Sequence, residues 1–302
     1  MRRLAASAAL RVHLVDGTPD VGALVGFIAR VLSEAGLADA AAEARDLVAA
    51  VIGQNRFWPS LHADQVVPDD VAERARTVAE RRATGMPFAY AVGRASFRHL
   101  TLRVDERVLI PRQETEGLVN LVLSQRAPTP GGVVADVGTG SGAIALSLAA
   151  EGHFDRIIAT DVAADALAVA RENAGVLPST VTAAIEFRAG DLLSPIGGER
   201  LDVLVSNPPY IAHDEANELP SSVRDWEPSH ALFSGGQGLD VTRRIIAGAP
   251  ALLCSGGLLA VEVDCRRALQ VVEVAASSGA FRNIQLFQDL MGRDRFVLAT
   301  RA

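Results

Sequence analysis

Apolar residues early in the chain recur at three- and four-residue steps: Val21, Leu24, Val25, Ile28, Val31, Leu32 and Ala35, then Leu47, Val48, Val51 and Ile52. This spacing puts one apolar stripe on each of two helices. A third helix is predicted after Pro68, with Asp69 or Asp70 as its cap and Val71, Ala75 and Val78 turned inward. From Phe88 to Ile110 the period changes to alternation, with Leu100, Leu102 and Val104 on one face and Val108 and Ile110 returning after Asp105-Glu106, which predicts a β-hairpin between two domains. Pro128 to Gly132 is rich in structure breakers and marks a boundary. Beyond it strands and helices alternate: strands at Val133 to Val137, Ile157 to Asp161, Ile185 to Arg188, Leu201 to Ser206, Leu258 to Val263, Ile284 to Phe287 and Phe296 to Ala299, with helices at Ala143 to Ala150, Asp165 to Ala174, Val241 to Leu253 and Ala268 to Ser277. The expected class is α/β, a mostly parallel sheet with helices on both faces and ligands at the strand carboxyl ends. The expected division is a helical domain over 1–85, a hairpin linker over 86–128 and an α/β domain over 129–302.

Two apolar stretches bear on the compartment. Met1-Arg2-Arg3 followed by Leu4 to Leu10 imitates a signal peptide, but the run is short, rich in alanine and stopped by Arg11, so it is not read as one. The uncharged stretch Ile245 to Val261 is broken by Pro250, Ser255, Gly256 and Gly257 and reads as a helix end, a turn and a buried strand. No membrane span is predicted. Cys254 and Cys265 are too few for a disulfide framework or a zinc cluster, which fits a cytoplasmic protein without a metal.

Charge narrows the function classes. The formal charge is −7 and the pI about 5.4, against a protein held to nucleic acid chiefly by phosphate neutralisation. The sequence contains no lysine, so all 29 positive charges are arginine. Schiff-base, pyridoxal-phosphate and P-loop chemistries, which need a lysine amine, are thereby excluded.

Four motifs fall at four strand ends. Asp136-Val137-Gly138-Thr139-Gly140-Ser141-Gly142 joins a strand to a helix; its glycines permit a tight turn and close backbone approach, and the helix start offers unpaired N–H groups. Alone it serves NAD, S-adenosylmethionine or a bare turn. Asp161 ends the next strand, where a carboxylate accepts the ribose hydroxyls of an adenosine. Asp191 follows the third strand, placed to meet an adenine amine while Leu192 covers the base. Asn207-Pro208-Pro209-Tyr210 follows the fourth. Two prolines fix the backbone and remove two N–H donors, leaving outward carbonyls beside the Asn207 oxygen as acceptors for a planar NH₂ group, on which Tyr210 can stack.

That arrangement suits a nitrogen whose lone pair is delocalised. Acceptors aimed where the N–H bonds point as nitrogen becomes tetrahedral stabilise the transition state more than the planar ground state. A sulfonium donor brings an activated methyl, so no base, metal or amine is required.

The chain resembles the HemK-type (PrmC) protein-(glutamine-N5) methyltransferases, which modify the glutamine of the Gly-Gly-Gln motif in peptide-chain release factors. The likeness runs through Arg82-Ala-Thr-Gly85-Met-Pro87, Ile110-Pro111-Arg112-Gln113-Glu114-Thr115-Glu116, Asp136 to Gly142, Asn207 to Ile211, Glu227-Pro228 with Ala231-Leu232, Gly238-Leu239, and Asp289, Gly292, Asp294 and Arg295. The resemblance implies a helical N-terminal domain that helps recognise the release factor and a seven-stranded, Rossmann-like catalytic domain. It also implies that Asp136, Gly138 to Gly142, Asp161, Asp191, Leu192 and Asn207 hold S-adenosylmethionine and that Asn207 to Tyr210 hold the glutamine amide, with Arg112, Glu114 and Thr115 at the mouth. A monomer without sequence-specific nucleic-acid binding is expected.

Two segments depart from the family pattern. Phe97-Arg98-His99 replaces Phe-Tyr-Gly, and Glu262-Val263-Asp264-Cys265-Arg266-Arg267 replaces Glu-x-Gly-x-x-Gln. Gly235-Gly236-Gln237 matches the release-factor tripeptide by coincidence. Competing readings are the same chemistry on a ribosomal-protein glutamine, a small-molecule amine or the N6 of adenine in DNA, and an S-adenosylmethionine-binding module without turnover.

Overall fold

The computed structural model describes residues 18–126 and 131–302. The leader-like start and positions 127–130 of the boundary lie outside the described residues. The chain divides into two compact units, one up to Val92 and one from Gly93 onward.

In the first unit, α1 (Val21–Glu34), α2 (Ala40–Ile52) and α3 (Asp69–Ala83) pack through Leu24, Ile28, Leu32, Leu47 and Val48. The Asp20 carboxylate caps α1 by accepting from the Ala23 N–H at 2.6 Å. In α3 the structure differs from the sequence reading. Pro68 takes the cap position, with Asp69 and Asp70 in the first turn, where their charge meets the positive end of the helix dipole. The buried stripe is Ala72, Ala75 and Ala79, and Val71 and Val78 flank it. An Arg82–Glu43 ion pair joins α3 to α2.

The second unit begins with the hairpin, β1 (Arg94–Phe97) and β2 (Leu100–Arg103), paired antiparallel. It is shorter than the alternation suggested. Phe88–Val92 is a short helix. Val108 and Ile110 lie outside any strand, because the chain turns where the Asp105 carbonyl accepts from the Val108 N–H. The linker region also contains a helix the periodicity missed, α4 (Gln113–Arg126).

The main sheet comprises β3 (Val133–Val137), β4 (Arg156–Asp161), β5 (Ala184–Ala189), β6 (Leu201–Ser206), β7 (Leu253–Glu262), β8 (Phe281–Gln288) and β9 (Asp294–Arg301). Their order is β5-β4-β3-β6-β7-β9-β8. The first five are parallel, and β9 runs antiparallel between β7 and β8. β7 starts earlier than Leu258 because Gly256, at φ +79°, and Gly257 sit inside an irregular register rather than ending the strand. Pro250 lies in the last turns of α7 (Asp240–Leu252).

Alternate strand residues face opposite layers, the period-2 rule of a sheet. Val134, Val203, Val205, Leu258 and Ala260 pack under α4 and α5 (Ala143–Glu151), while Ala135, Val137, Leu204, Leu259 and Val261 pack under α7 and α8 (Ala268–Ser277). Both faces are covered, so the central strands read as continuous apolar runs. The helix α6 (Ala164–Ala174) is tied to the hairpin by Asn173, whose side chain accepts from the Arg103 N–H and donates to the Arg103 and Ser141 carbonyls at 2.7–2.9 Å. Among the described residues no helix is long and apolar enough to cross a membrane.

Among the described residues, a few buried polar atoms lack a partner, and one belongs to a small side chain in the core. The Ser147 hydroxyl in α5 is fully buried and has no hydrogen-bond partner. Removing an unpaired buried hydroxyl releases its desolvation cost, so Ser147→Ala is expected to stabilise the fold by about 1 kcal/mol, read as a higher urea midpoint at unchanged slope. A loss of stability would show that the hydroxyl is paired.

Candidate active site

The site forms where strand order reverses, at the carboxyl ends of β3 and β6. The Ser206 hydroxyl donates to the Val137 carbonyl at 2.7 Å, holding the two strand ends level as the chain leaves each. After β3, Gly138 and Gly140 take φ of +75° and +55°, with no atom within 4 Å of the place a Cβ would occupy. The loop therefore presents bare backbone to open space. The N–H groups of Gly138 and Thr139 both donate to the Thr160 carbonyl at 2.9 Å, which anchors the loop on β4.

Two recesses meet over this loop. One, of about 170 Å³, is lined by Gly138, Gly140, Asp161, Asp191, Leu192, Asn207, Pro209 and Arg244 among others. A smaller one of about 50 Å³ is lined by Phe97, Pro111, Arg112, Thr115, Thr139 and Ser141, and shares Gly138, Gly140 and Asn207 with the first. Asn207 thus stands at their junction.

The structure gathers most of the candidate residues but assigns several a different place. Asp161 accepts from the Gly140 N–H through Oδ2 and from the Ala163 N–H through Oδ1, each at 2.9 Å, and lies at the edge of the larger recess. Asp136 lines neither recess. It is fully buried beneath the loop, where Oδ2 accepts from the Thr139 hydroxyl at 2.6 Å and the Ala145 N–H at 3.1 Å. It is a strut for the glycine loop, and burial pushes its carboxyl up to about 7. Gly142 serves as the α5 cap and packs against Leu146 and Ala170.

Asp191 lines the larger recess but is ion-paired with Arg244. Sequence reading missed that arginine because α7 lies 53 positions away. Leu192 holds φ +47°, and its carbonyl accepts from the Thr160 hydroxyl at 3.3 Å.

Pro208 and Tyr210 also lie outside both recesses. Tyr210 turns its hydroxyl toward Glu262, 3.5 Å away, and burial first, then the Glu262 charge, raises its pKa. The Tyr210 carbonyl leaves no room for a side chain at Gly238, itself at φ +86°. Asn207 Nδ2 donates to Thr115 Oγ1 at 3.0 Å, and the Thr115 hydroxyl donates to Glu262 Oε2 at 2.7 Å. Glu262 is 1% exposed, and burial pushes its carboxyl up to about 7. The signal that could have singled it out is a carboxylate set directly after the apolar run Leu258 to Val261 and before Val263.

At the mouth, Arg112 donates to Glu227 at 2.7 Å, and that buried carboxylate also accepts from the Ile110 N–H at 3.3 Å. Burial outweighs the arginine and raises Glu227. Glu114 lines neither recess and pairs with Arg293 at 3.2 Å, which bonds Asp289 at 2.9 Å.

Residues 24–93 match the family described as PrmC N-terminal domain and residues 115–222 the one described as Methyltransferase small domain. A release factor glutamine methyltransferase of Moorella thermoacetica is 46% identical over 222 residues, 74% of this chain and 77% of that one. The enzyme of the same name from Cereibacter sphaeroides is 40% identical over 268 residues, covering 89% of this chain and 94% of the relative. The chain belongs to the release factor glutamine methyltransferase family. A further relative, from Mycolicibacterium smegmatis, is 40% identical over 89% of this chain and 94% of its own. The fold is shared with the hMettl16 catalytic domain, solved in complex with MAT2A 3'UTR hairpin 6, at a TM-score of 0.51 and 18% identity over 78% of this chain and 82% of that one.

The residues present fit S-adenosylmethionine: space open above Gly138 and Gly140, the Asp161 carboxylate at the rim, and Leu192 as an apolar wall. Both departures from the family pattern become anchoring nodes. Arg98 takes the hairpin turn at φ +52° and binds Glu151 at 2.7 and 2.5 Å, the Glu116 carbonyl at 3.0 Å and Asn120 at 2.7 Å. Burial pushes Asp264 up, but Arg266 and Arg267 outweigh it and hold the carboxylate below its ordinary range. Arg267 also reaches Glu215 at 2.6 Å and the Gln237 carbonyl. The added charges are thus spent on one another and on the loops flanking Tyr210.

The Asp136 carboxyl is raised from an unfolded value of about 3.9 to about 7, so the folded state binds the extra proton between those limits. Its contribution to stability therefore falls as pH rises from about 4 to about 7 and is flat beyond. Asp136→Asn cannot titrate and should show a shallower fall across that window in urea unfolding; parallel curves for the two proteins would refute the assignment.

Proposed function

We propose that the chain transfers a methyl group from S-adenosylmethionine to the side-chain amide nitrogen of the glutamine in the Gly-Gly-Gln motif of peptide-chain release factors. The observation that carries this reading is the position of Asn207. It stands where the larger recess, suited to an adenosine, meets the smaller one beneath Arg112 and Thr115. The substrate amide enters the junction and donates to the Asn207 oxygen and the backbone carbonyl beside it. Neither proline supplies an N–H that would compete for those acceptors.

S-adenosylmethionine, when bound, supplies a methyl already activated by the sulfonium. The chain's own residues do the rest. Gly138 and Gly140 let the backbone approach the donor, Asp161 accepts the ribose hydroxyls, and Leu192 covers the adenine. The rigid Asn207-Pro208-Pro209 segment orients the amide nitrogen along the line of attack. As nitrogen becomes tetrahedral its N–H bonds swing toward the two acceptors, which stabilises the transition state selectively. The positive charge on the methylated nitrogen is relieved by loss of a proton to solvent.

Arg112 is held by Glu227 at the mouth, and the helical unit up to Val92 contributes recognition of the release factor. The enzyme acts in the cytoplasm as a monomer. Asn207→Ala is expected to lower kcat on a purified release factor by about 10²–10³-fold with little change in S-adenosylmethionine affinity, followed by transfer of labelled methyl and mapping to the glutamine. Parental turnover, or label on another residue, would overturn the reading.

A further inference from the structure

An asparagine amide has two ends of nearly the same shape and opposite hydrogen-bonding sense. If Asn207 is to accept from a substrate NH₂ it must present Oδ1 and keep Nδ2 out of the way; turned over, it would set donor against donor. Nothing within Asn207-Pro208-Pro209-Tyr210 makes that choice. Thr115, on the first turn of α4, and Glu262, at the end of β7, lie 92 and 147 positions from their respective partners in the chain of bonds.

We infer that Glu262 and Thr115 are positioning residues that fix the orientation of the Asn207 amide, and so select an NH₂-bearing substrate, through a one-way chain of hydrogen bonds. This inference rests on the reading of Asn207 as the substrate's acceptor. An ionised Glu262 can only accept, so the Thr115 hydroxyl must point its proton at Oε2, 2.7 Å away. The lone pairs of Thr115 Oγ1 are then turned to Asn207, which can satisfy them only with Nδ2, at 3.0 Å. Oδ1 is left as the free end at the junction of the two recesses. Thr115 is 4% and Glu262 1% exposed, so water is poorly placed to substitute for any link, and a reversed bond would leave a buried polar group unpaired.

The direction of the chain depends on the charge of Glu262. A protonated carboxyl can donate to Thr115, whose own proton then turns toward Asn207 and favours Oδ1 facing inward, the wrong end. The groups facing Glu262 are the Thr115 and Tyr210 hydroxyls, the Arg295 guanidinium, which favours the charged form, and Glu114, which opposes it. Burial dominates these and pushes the carboxyl up to about 7. The correct orientation is therefore favoured above about pH 7 and weakened below it.

The test uses the full chain, labelled S-adenosylmethionine and a purified release factor, with kcat, KM and donor affinity measured for Thr115→Val, Thr115→Ser, Glu262→Gln and Asn207→Ala. Thr115→Val, isosteric but without the hydroxyl, should lower kcat about 10-fold or more while donor affinity, which reports an intact fold, stays within about 2-fold. Thr115→Ser should restore kcat to within about 3-fold of the parent. Glu262→Gln keeps an acceptor oxygen but cannot take up a proton, so the decline of kcat below about pH 7 should disappear. Parental kcat in Thr115→Val alongside an inactive Asn207→Ala would overturn the inference, as would an unchanged acid decline in Glu262→Gln. A fully active Asn207→Ala would instead remove the underlying role of Asn207, whatever the Thr115 variants do.

Discussion

The reversal of strand order between β3 and β6 is the constraint on which the site depends. β4 and β5 extend the sheet on one side of β3, and β6 and β7 on the other. The loops leaving the two central strands must therefore diverge, and the crevice they leave is the one place where ligands can approach several strand ends together. The Ser206–Val137 bond keeps those ends level. One of the diverging loops carries bare glycine backbone and the other carries Asn207 with its two prolines. Neither segment forms the site alone, since the first brings exposed glycine backbone and the second the Asn207 amide on a turn whose two prolines have no N–H.

Beneath the crevice lies a layer of buried polar groups that an apolar core would not tolerate unpaired. Asp136 braces the glycine loop from below, and Glu262 does the same for the Asn207 side through Thr115. Each is desolvated enough to raise its carboxyl to about 7. The cost of burying them is offset by the rigidity they confer on atoms that must be placed to a fraction of an ångström. Arginine does the corresponding work at the periphery. Its planar fork binds a carboxylate through two nitrogens at once, as Arg98 does with Glu151 and as Arg266 and Arg267 do jointly with Asp264.

The strands and most helices were legible from periodicity because the sheet is covered on both faces, which turns β3, β6 and β7 into apolar runs. α4 was not legible. Its buried residues Thr115, Leu118, Val119 and Val122 form too narrow a stripe, interrupted by Thr115, which is inward for polar reasons. At the site, the glycine loop and the Asn207-Pro208-Pro209-Tyr210 turn were visible as motifs because glycine and proline write their backbone constraints directly into the sequence. The Asp191–Arg244, Arg112–Glu227 and Thr115–Glu262 pairs could not. Each joins residues far apart in the chain, and only the fold brings their charges and dipoles together. Asp136 was misplaced for a related reason: its position next to the glycines is the same whether it faces the crevice or the core, and only burial distinguishes the two.

The placement of β9 has a consequence for how the molecule assembles. It inserts between β7 and β8, both of which precede it in the chain, and its own Arg295 donates to the Val263 carbonyl at 3.1 Å. While residues 294–301 are still being synthesised, β7 has an unpaired edge flanked by the apolar side chains Leu258 to Val261 and β8 has no neighbour in the sheet, the sort of surface that invites misassociation. Glu262 stands opposite Phe296 in this pairing, so the carboxylate beneath Asn207 gains its final setting only after β9 arrives. Completion of the crevice in this sense waits on the last strand of the sheet, although β3, β4, β5 and β6 all precede it in the chain.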